Sequence, residues 1–352
     1  MRKKPTRPDR RPRRRWPRRV LLSTAALLGL AGAVWAAWRY ETRSPRIAAG
    51  APPVRLVVPP GSSADAIARQ LQGLGLVRHP LVFRALARAR GVGARLKAGE
   101  YALSGPLSLE GIVDALARGD VVRRDLTVPE GRSLDDIALL VVGEGLDLEE
   151  FLAAARDPAP VRDLDPVAAD LEGYLFPDTY DVPQAPEAPR ALVRRMVERF
   201  RAVISPELSR IAEKGLSVRQ LVTLASIVEL ETARATERPR IAAVFLNRLE
   251  KRMPLQTDPS IIYALKKAGR WDGNIRKRDL DILSPYNTYR RSGLPPGPLG
   301  SPGREAILAV LEPAETKELY FVSRNDGTHE FSETLTQHNR AVNRYQRRRA
   351  RS

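Results

Sequence analysis

Glu229 and Glu231 sit in a stretch, 221–232, that is otherwise apolar apart from Thr223, Ser226 and Thr232. On a helix turning about 100° per residue, Glu229 projects between Val222 and Ala225, and Glu231 projects between Leu224 and Ile227. A helix that is apolar all round is a buried one. A carboxyl carried into it must find a cation or hold its proton near neutral pH. The first case pairs the acids with nearby arginines such as Arg219 or Arg234; the second makes one of them a general acid. Helical spacing alone does not separate the two glutamates.

Other chemistries are poorly supplied. The chain has no cysteine, so neither a thiol nucleophile nor a disulfide is available. Its three histidines, His79, His329 and His338, lack the spacing of a helical zinc site, and no metal or cofactor is implied. His329 and His338 suit substrate contact or a structural role. A Gly-X-Ser-X-Gly elbow is absent. What remains is carboxylate, hydroxyl, amide and phenol, a set suited to breaking a glycosidic bond. Glu172, in the aromatic and acidic segment 171–180, can build a sugar-binding wall or a clasp between domains. Gln256, Thr257 and Asp258 open a helix that Thr257 or Asp258 can cap. Tyr286, Asn287 and Thr288 fall in a Ser-Pro-Tyr-Asn-Thr-Tyr loop, followed by rigid turns at 293–297 and 301–303. These residues are candidate substrate contacts, and each has an ordinary reading as cap, turn or clasp.

Several elements must carry these groups. The 352 residues suffice for two or three compact units. Residues 1–19 hold eleven Lys or Arg and one Asp, net +10 of the chain's +18, which leaves +8 for the rest. Much of that remainder is a second basic tail that includes 347–352. No RNA-binding signature, zinc pattern or phosphate loop accompanies the charge, so a nucleic-acid partner is not expected. Residues 20–38 carry no charge and span roughly 28 Å as a helix, enough for one membrane crossing. The preceding cations place the N-terminus in the cytoplasm and everything beyond the helix outside. The run is longer than a typical signal-peptide core, which favours an uncleaved anchor. Residues 39–53 read as a linker.

A repeat then appears at an offset of 70. Val58, Pro59, Gly61, Ser63, Ile67, Ala68, Gly73, Gly75 and Leu76 match Val128, Pro129, Gly131, Ser133, Ile137, Ala138, Gly143, Gly145 and Leu146. Each copy reads as a strand, a Pro-X-Gly turn and a helix ending at glycine. With helices at 79–90 and 109–117 and a strand at 98–103, residues 54–122 give a βααβα order that resembles a LysM-like module. Such modules bind N-acetylglucosamine polymers; a duplicated scaffold without ligand is the alternative.

Further motifs fall in a fixed order: 224–232 (Leu-Ala-Ser-Ile-Val-Glu-Leu-Glu-Thr), 244–249 (Val-Phe-Leu-Asn-Arg-Leu), 253–263 (Met-Pro-Leu-Gln-Thr-Asp-Pro-Ser-Ile-Ile-Tyr), 286–289 and 293–303. With the 172–180 segment, Asp326, Gly327, His329, Phe331, His338 and Asn339, they resemble the endolytic murein transglycosylase, or YceG-like, family over about residues 55–346. The resemblance implies an α+β chain: transmembrane helix, LysM-like module, then a helix-rich catalytic domain over 123–346 whose first part, 123–156, repeats the module. It also implies an enzyme of the bacterial inner membrane that cleaves peptidoglycan glycan strands internally and without water, leaving 1,6-anhydro-N-acetylmuramic acid ends. Peptidoglycan synthases are partners the resemblance suggests.

The family's catalytic glutamate falls on the first acid of the Ser-Ile-Val-Glu motif, here Glu229. In the mechanism so implied, Glu229 protonates the bridging oxygen and then, as carboxylate, takes the C6 hydroxyl proton as that oxygen closes on C1. Glu231 then contacts substrate or supports Glu229. Family members read Glu-Lys-Glu-Thr where this chain reads Glu-Leu-Glu-Thr, so Leu230 alters how the acids can be paired. Rival readings are a hydrolytic muramidase and a non-catalytic, membrane-tethered peptidoglycan-binding scaffold.

Overall fold

The protein is described from a computed structural model, which covers residues 18–347. The basic tails expected at 1–19 and 347–352 lie almost wholly outside that range. The chain divides into two compact units at Val122/Arg123.

The first unit begins with α1, Arg18–Arg43. Its 22–43 portion is long and apolar enough to cross a membrane, and the most apolar stretch within it is not covered by protein. Its last turns extend into the segment expected as a linker. There Trp38 packs on the unit's core, and the buried Thr42 donates from its hydroxyl to the Trp38 carbonyl at 3.0 Å. The rest of that segment is partly a strand, β1 (Pro45–Ile47). Then follow β2 (Val54–Val58), α2 (Ala64–Gly73), α3 (Pro80–Ala89), β3 (Gly99–Leu103), β4 (Leu107–Ser108) and α4 (Leu109–Arg118). β2 pairs antiparallel with β3, and β1 with β4. Alternate β2 residues Leu56 and Val58 point inward onto Ile67, Leu71, Phe83, Tyr101 and Ile112, which gives the unit its own core.

The second unit reuses the opening motif. β5 (Arg123–Thr127) and α5 (Leu134–Gly143) repeat β2 and α2, with Ser63 and Ser133 both capping their helices. Gly61 and Gly131 occupy the same left-handed turn, at φ 73° and 76°. Next come α6 (Leu148–Ala155), β6 (Thr179–Pro183), which pairs antiparallel with β5, and α7 (Ala188–Ile204). Pro206 interrupts the helical run, and α8 (Leu208–Glu213) resumes it. α9 (Val218–Glu231), α10 (Arg238–Glu250), α11 (Asp258–Lys267) and α12 (Arg304–Leu311) follow. The chain closes with the antiparallel hairpin β7 (Tyr320–Ser323) and β8 (His329–Ser332), then α13 (Leu335–Val342) and one further turn, Asn343–Arg347. His329 therefore lies in a strand. The last helix starts at Leu335, where Thr334 caps it with Gln337.

α9 is the axis of this unit. Ser217 and Gln220 form a capping box at its start, and every residue from Leu221 to Val228 is buried. α10 and α12 pack against it. Burial of its Leu, Ile and Val side chains contributes about 1.5–3 kcal/mol each, which fixes the helix and hence the direction of its last turn.

Candidate active site

That last turn carries both glutamates, and the structure gives them different surroundings. The Glu229 side chain is 5% exposed, and both its carboxylate oxygens are partnered. One carboxylate oxygen accepts from Arg238 Nη2 and the other from the Gly303 backbone N–H at 3.0 Å. Arg238, at the start of α10, also reaches Glu130 at 3.2 Å. Neither Arg219 nor Arg234 takes the place sequence spacing suggested. Arg219 pairs with Asp165 at 2.6 Å, and Arg234 donates to the Gly327 and Asp326 carbonyls. Burial pushes Glu229 up to about 7 and the adjacent Glu130 adds to this, while Gly303 and Arg238 oppose it.

Glu231 is the final residue of α9 and pairs with no cation among the described residues. It accepts a hydrogen bond from the Thr257 hydroxyl. Burial pushes its carboxyl up to about 7, Thr257 opposes, and Asp258 adds. The negative end of the helix dipole works in the same direction as burial. Glu231 lines a cleft of about 460 Å³, whereas Glu229 does not. The walls are Arg248 from α10, Gln256 and Asp258, Tyr289, and Tyr320, His329 and His338 from the closing hairpin and helix.

Of the expected contacts, Glu231, Gln256 and Asp258 thus share one cleft. Gln256 is exposed, with φ +52°, a strained value for a side chain of its size, and accepts from Arg248 at 2.7 Å. Asp258 accepts from the Tyr289 hydroxyl at 2.5 Å. Thr257 stands at the N-cap of α11 yet does not cap it, since its hydroxyl is turned to Glu231.

The remaining candidates are not among the residues that line the cleft. Thr288 is buried and accepts from the Thr257 N–H at 3.1 Å, while its carbonyl takes the Gln256 N–H. Asn287 is wholly buried, donates to the Leu280 and Ile282 carbonyls at 2.9 Å each, and accepts from the Tyr289 N–H. Those bonds tie Asn287 to its own loop. Tyr286 packs on Tyr263, their ring centroids 4.7 Å apart. Glu172 is not a cleft residue. It is buried at the start of α5, where it accepts from the Leu134 N–H at 2.8 Å and the Tyr263 hydroxyl at 3.1 Å. Burial pushes it up to about 7 as well.

Sequence reasoning missed Arg238 and Glu130 beside Glu229, and Arg248, Tyr289 and Tyr320 in the cleft. Arg248 and Tyr289 fall inside motifs noted above, and Glu130 in the repeated Pro-X-Gly turn, but their partners are distant along the chain. His329 is held by Glu237, its Nδ1 2.7 Å from one carboxylate oxygen and its N–H 3.0 Å from the other.

The chain matches the YceG-like family over residues 56–344. It is 33% identical over 312 residues to a Bacillus subtilis protein named endolytic murein transglycosylase, covering 83% of this chain and 84% of that one. A Streptococcus pneumoniae protein of the same name is 36% identical over 303 residues, which span 77% of this chain and 54% of the relative. A crystal structure of a YceG-like protein from Listeria monocytogenes superposes with a TM-score of 0.56 at 31% identity, covering 82% of this chain and 99% of the other. By sequence and by fold together, this chain belongs to the YceG-like family.

Proposed function

We propose that the protein is a membrane-anchored lytic transglycosylase that cleaves peptidoglycan glycan strands internally, with Glu231 as its acid and base. The observation that carries the assignment is the placement of Glu231 in the cleft, raised to about 7 and free of any cation among the described residues. A carboxyl of that kind holds its proton near neutrality and can give it up to a bound substrate. The Glu231 proton goes to the oxygen joining N-acetylmuramic acid to the next sugar, and the C1–O bond breaks. The C6 hydroxyl oxygen then bonds to C1 and returns its proton to the Glu231 carboxylate. No water is consumed and one carboxyl serves both steps. Thr257 fixes the rotamer that aims it, and Asp258, Gln256 and Tyr289 supply the hydroxyl-binding groups of the wall. The anchor is α1, with the folded units on the extracytoplasmic side.

A second reading keeps the proton on Glu229. It is favoured by Glu229's own rise to about 7 and by its neighbour Glu130, a two-carboxylate arrangement. Digestion of purified sacculi by the detergent-solubilised chain separates the two. Glu231→Gln is expected to lower turnover by about 100-fold or more with the melting temperature near wild type. Glu229→Gln is expected to cost roughly 3 kcal/mol of stability, because it leaves Arg238 buried and underpaired, while the folded fraction still turns over. The opposite pattern assigns the chemistry to Glu229. Product masses one water below those of hydrolysis identify anhydro ends; masses of reducing ends identify a muramidase.

A further inference from the structure

The cleft contains a cation that nothing so far explains. Arg248 is 7% exposed, and among the described residues no carboxylate pairs with it. Its Nη2 donates to Gln256, and its Nε is buried without a partner. The guanidinium carbon lies 5.4 Å from the centroid of the Tyr320 ring, on which His338 stacks at 5.2 Å. His338 Nδ1 is also buried without a partner. Two unpartnered polar groups therefore border one aromatic ring in the cleft that holds Glu231. The acids nearby are committed: Asp258 to the Tyr289 hydroxyl and Glu231 to Thr257.

Burying a guanidinium without an anion is costly, and burial pushes Arg248 below its usual value while leaving it a cation. Burial first, then the Arg248 charge, also holds His338 below the usual histidine value, so near neutrality it adds no second charge. The side-chain amide of Gln256, whose φ is +52°, accepts from one arm of the fork at 2.7 Å. The remaining donors match a carboxylate in geometry and charge.

We infer that Arg248, steadied by Gln256, is the receiving group for a carboxylate carried by the glycan substrate, bound beside Tyr320 and His338. This rests on the cleft reading proposed above. Two carboxylates of peptidoglycan fit: the lactyl group on the muramic sugar, when no peptide is attached, and those of the attached peptide. Either would fix which sugar faces Glu231, because only one of the two alternating sugars bears such a substituent.

The test compares four substrates with the full chain in detergent: peptide-free strands with the lactyl group as acid or as carboxamide, and peptide-bearing strands with peptide carboxylates free or amidated. In the pair that carries the recognised group, wild type is expected to show a KM about 10-fold lower for the acid. Arg248→Met is expected to abolish that preference, and Arg248→Lys, which keeps the charge but not the fork, to retain part of it. The pair in which the preference vanishes identifies the source. Equal KM for acid and amide in both pairs with wild type overturns the inference, as does a variant that weakens both members of a pair equally. The wild-type comparison needs no variant to fold. Absence of cleavage of all four by wild type overturns the enzymatic reading itself.

Discussion

Glu229 and Glu231 stand two positions apart on one helix, and their difference is one of partners. Glu229 is locked between a guanidinium and a backbone N–H, while among the described residues Glu231 bonds to the Thr257 hydroxyl alone. The Thr257 bond favours the carboxylate, so removing it moves the Glu231 carboxyl further up. With Glu231 as proton donor, activity falls as pH rises through about 7. Thr257→Val is therefore expected to shift this alkaline limb to higher pH while lowering turnover, since the acid becomes weaker and less well aimed. A pH–rate profile of the variant checks this. An unchanged or downward limb would show that Thr257 does not act through the catalytic acid.

Helix ends, more than helix interiors, organise the second unit. α9 ends at the cleft, α11 begins beside it, and α5 begins on Glu172, whose carboxylate takes the N–H of Leu134. Glu172 has a measurable signature of its own. Its folded value of about 7 lies above the unfolded 4.5, so the protein binds more protons than the unfolded chain between them. The stability it supplies is complete below about 4.5 and is lost as pH rises through about 7. Glu172→Gln keeps an acceptor for Leu134 and removes the titration. Its stability is expected to decline less over this window, by up to roughly 3 kcal/mol, with turnover at pH 6 largely retained. Urea midpoints between pH 5 and 8 read the effect. Identical slopes for variant and wild type would show that Glu172 does not titrate there.

The chain as a whole joins an apolar helix to two folded units, each with its own core. Its lack of cysteine makes topology directly testable, because an introduced thiol is unique. Leu283, 89% exposed, is a neutral site on the second unit. In intact cells or spheroplasts, Leu283→Cys is expected to react with a membrane-impermeant maleimide, and Thr6→Cys in the basic tail only after lysis. The reverse pattern would place the catalytic unit in the cytoplasm, away from peptidoglycan, and would overturn the proposed substrate.

The sequence by itself determined whatever depends on local order. Apolar runs and turn residues set α9 and the duplicated strand-turn-helix, because these follow from residues within a few positions of each other. The resemblance read in the motifs likewise led to the family. Yet helical spacing left Glu229 and Glu231 equivalent, the resemblance put the catalytic role on Glu229, and the same local information offered Arg219 and Arg234 as partners and Glu172, Asn287 and Thr288 as substrate contacts. The tertiary structure alone gives the two glutamates different partners, and buries Glu172, Asn287 and Thr288 away from the residues that line the cleft. Arg238 meets Glu130 across 108 positions and Tyr263 meets Glu172 across 91, contacts that no spacing encodes. A carboxyl's chemistry depends on which charges and how much water surround it, and both are set by packing between distant segments.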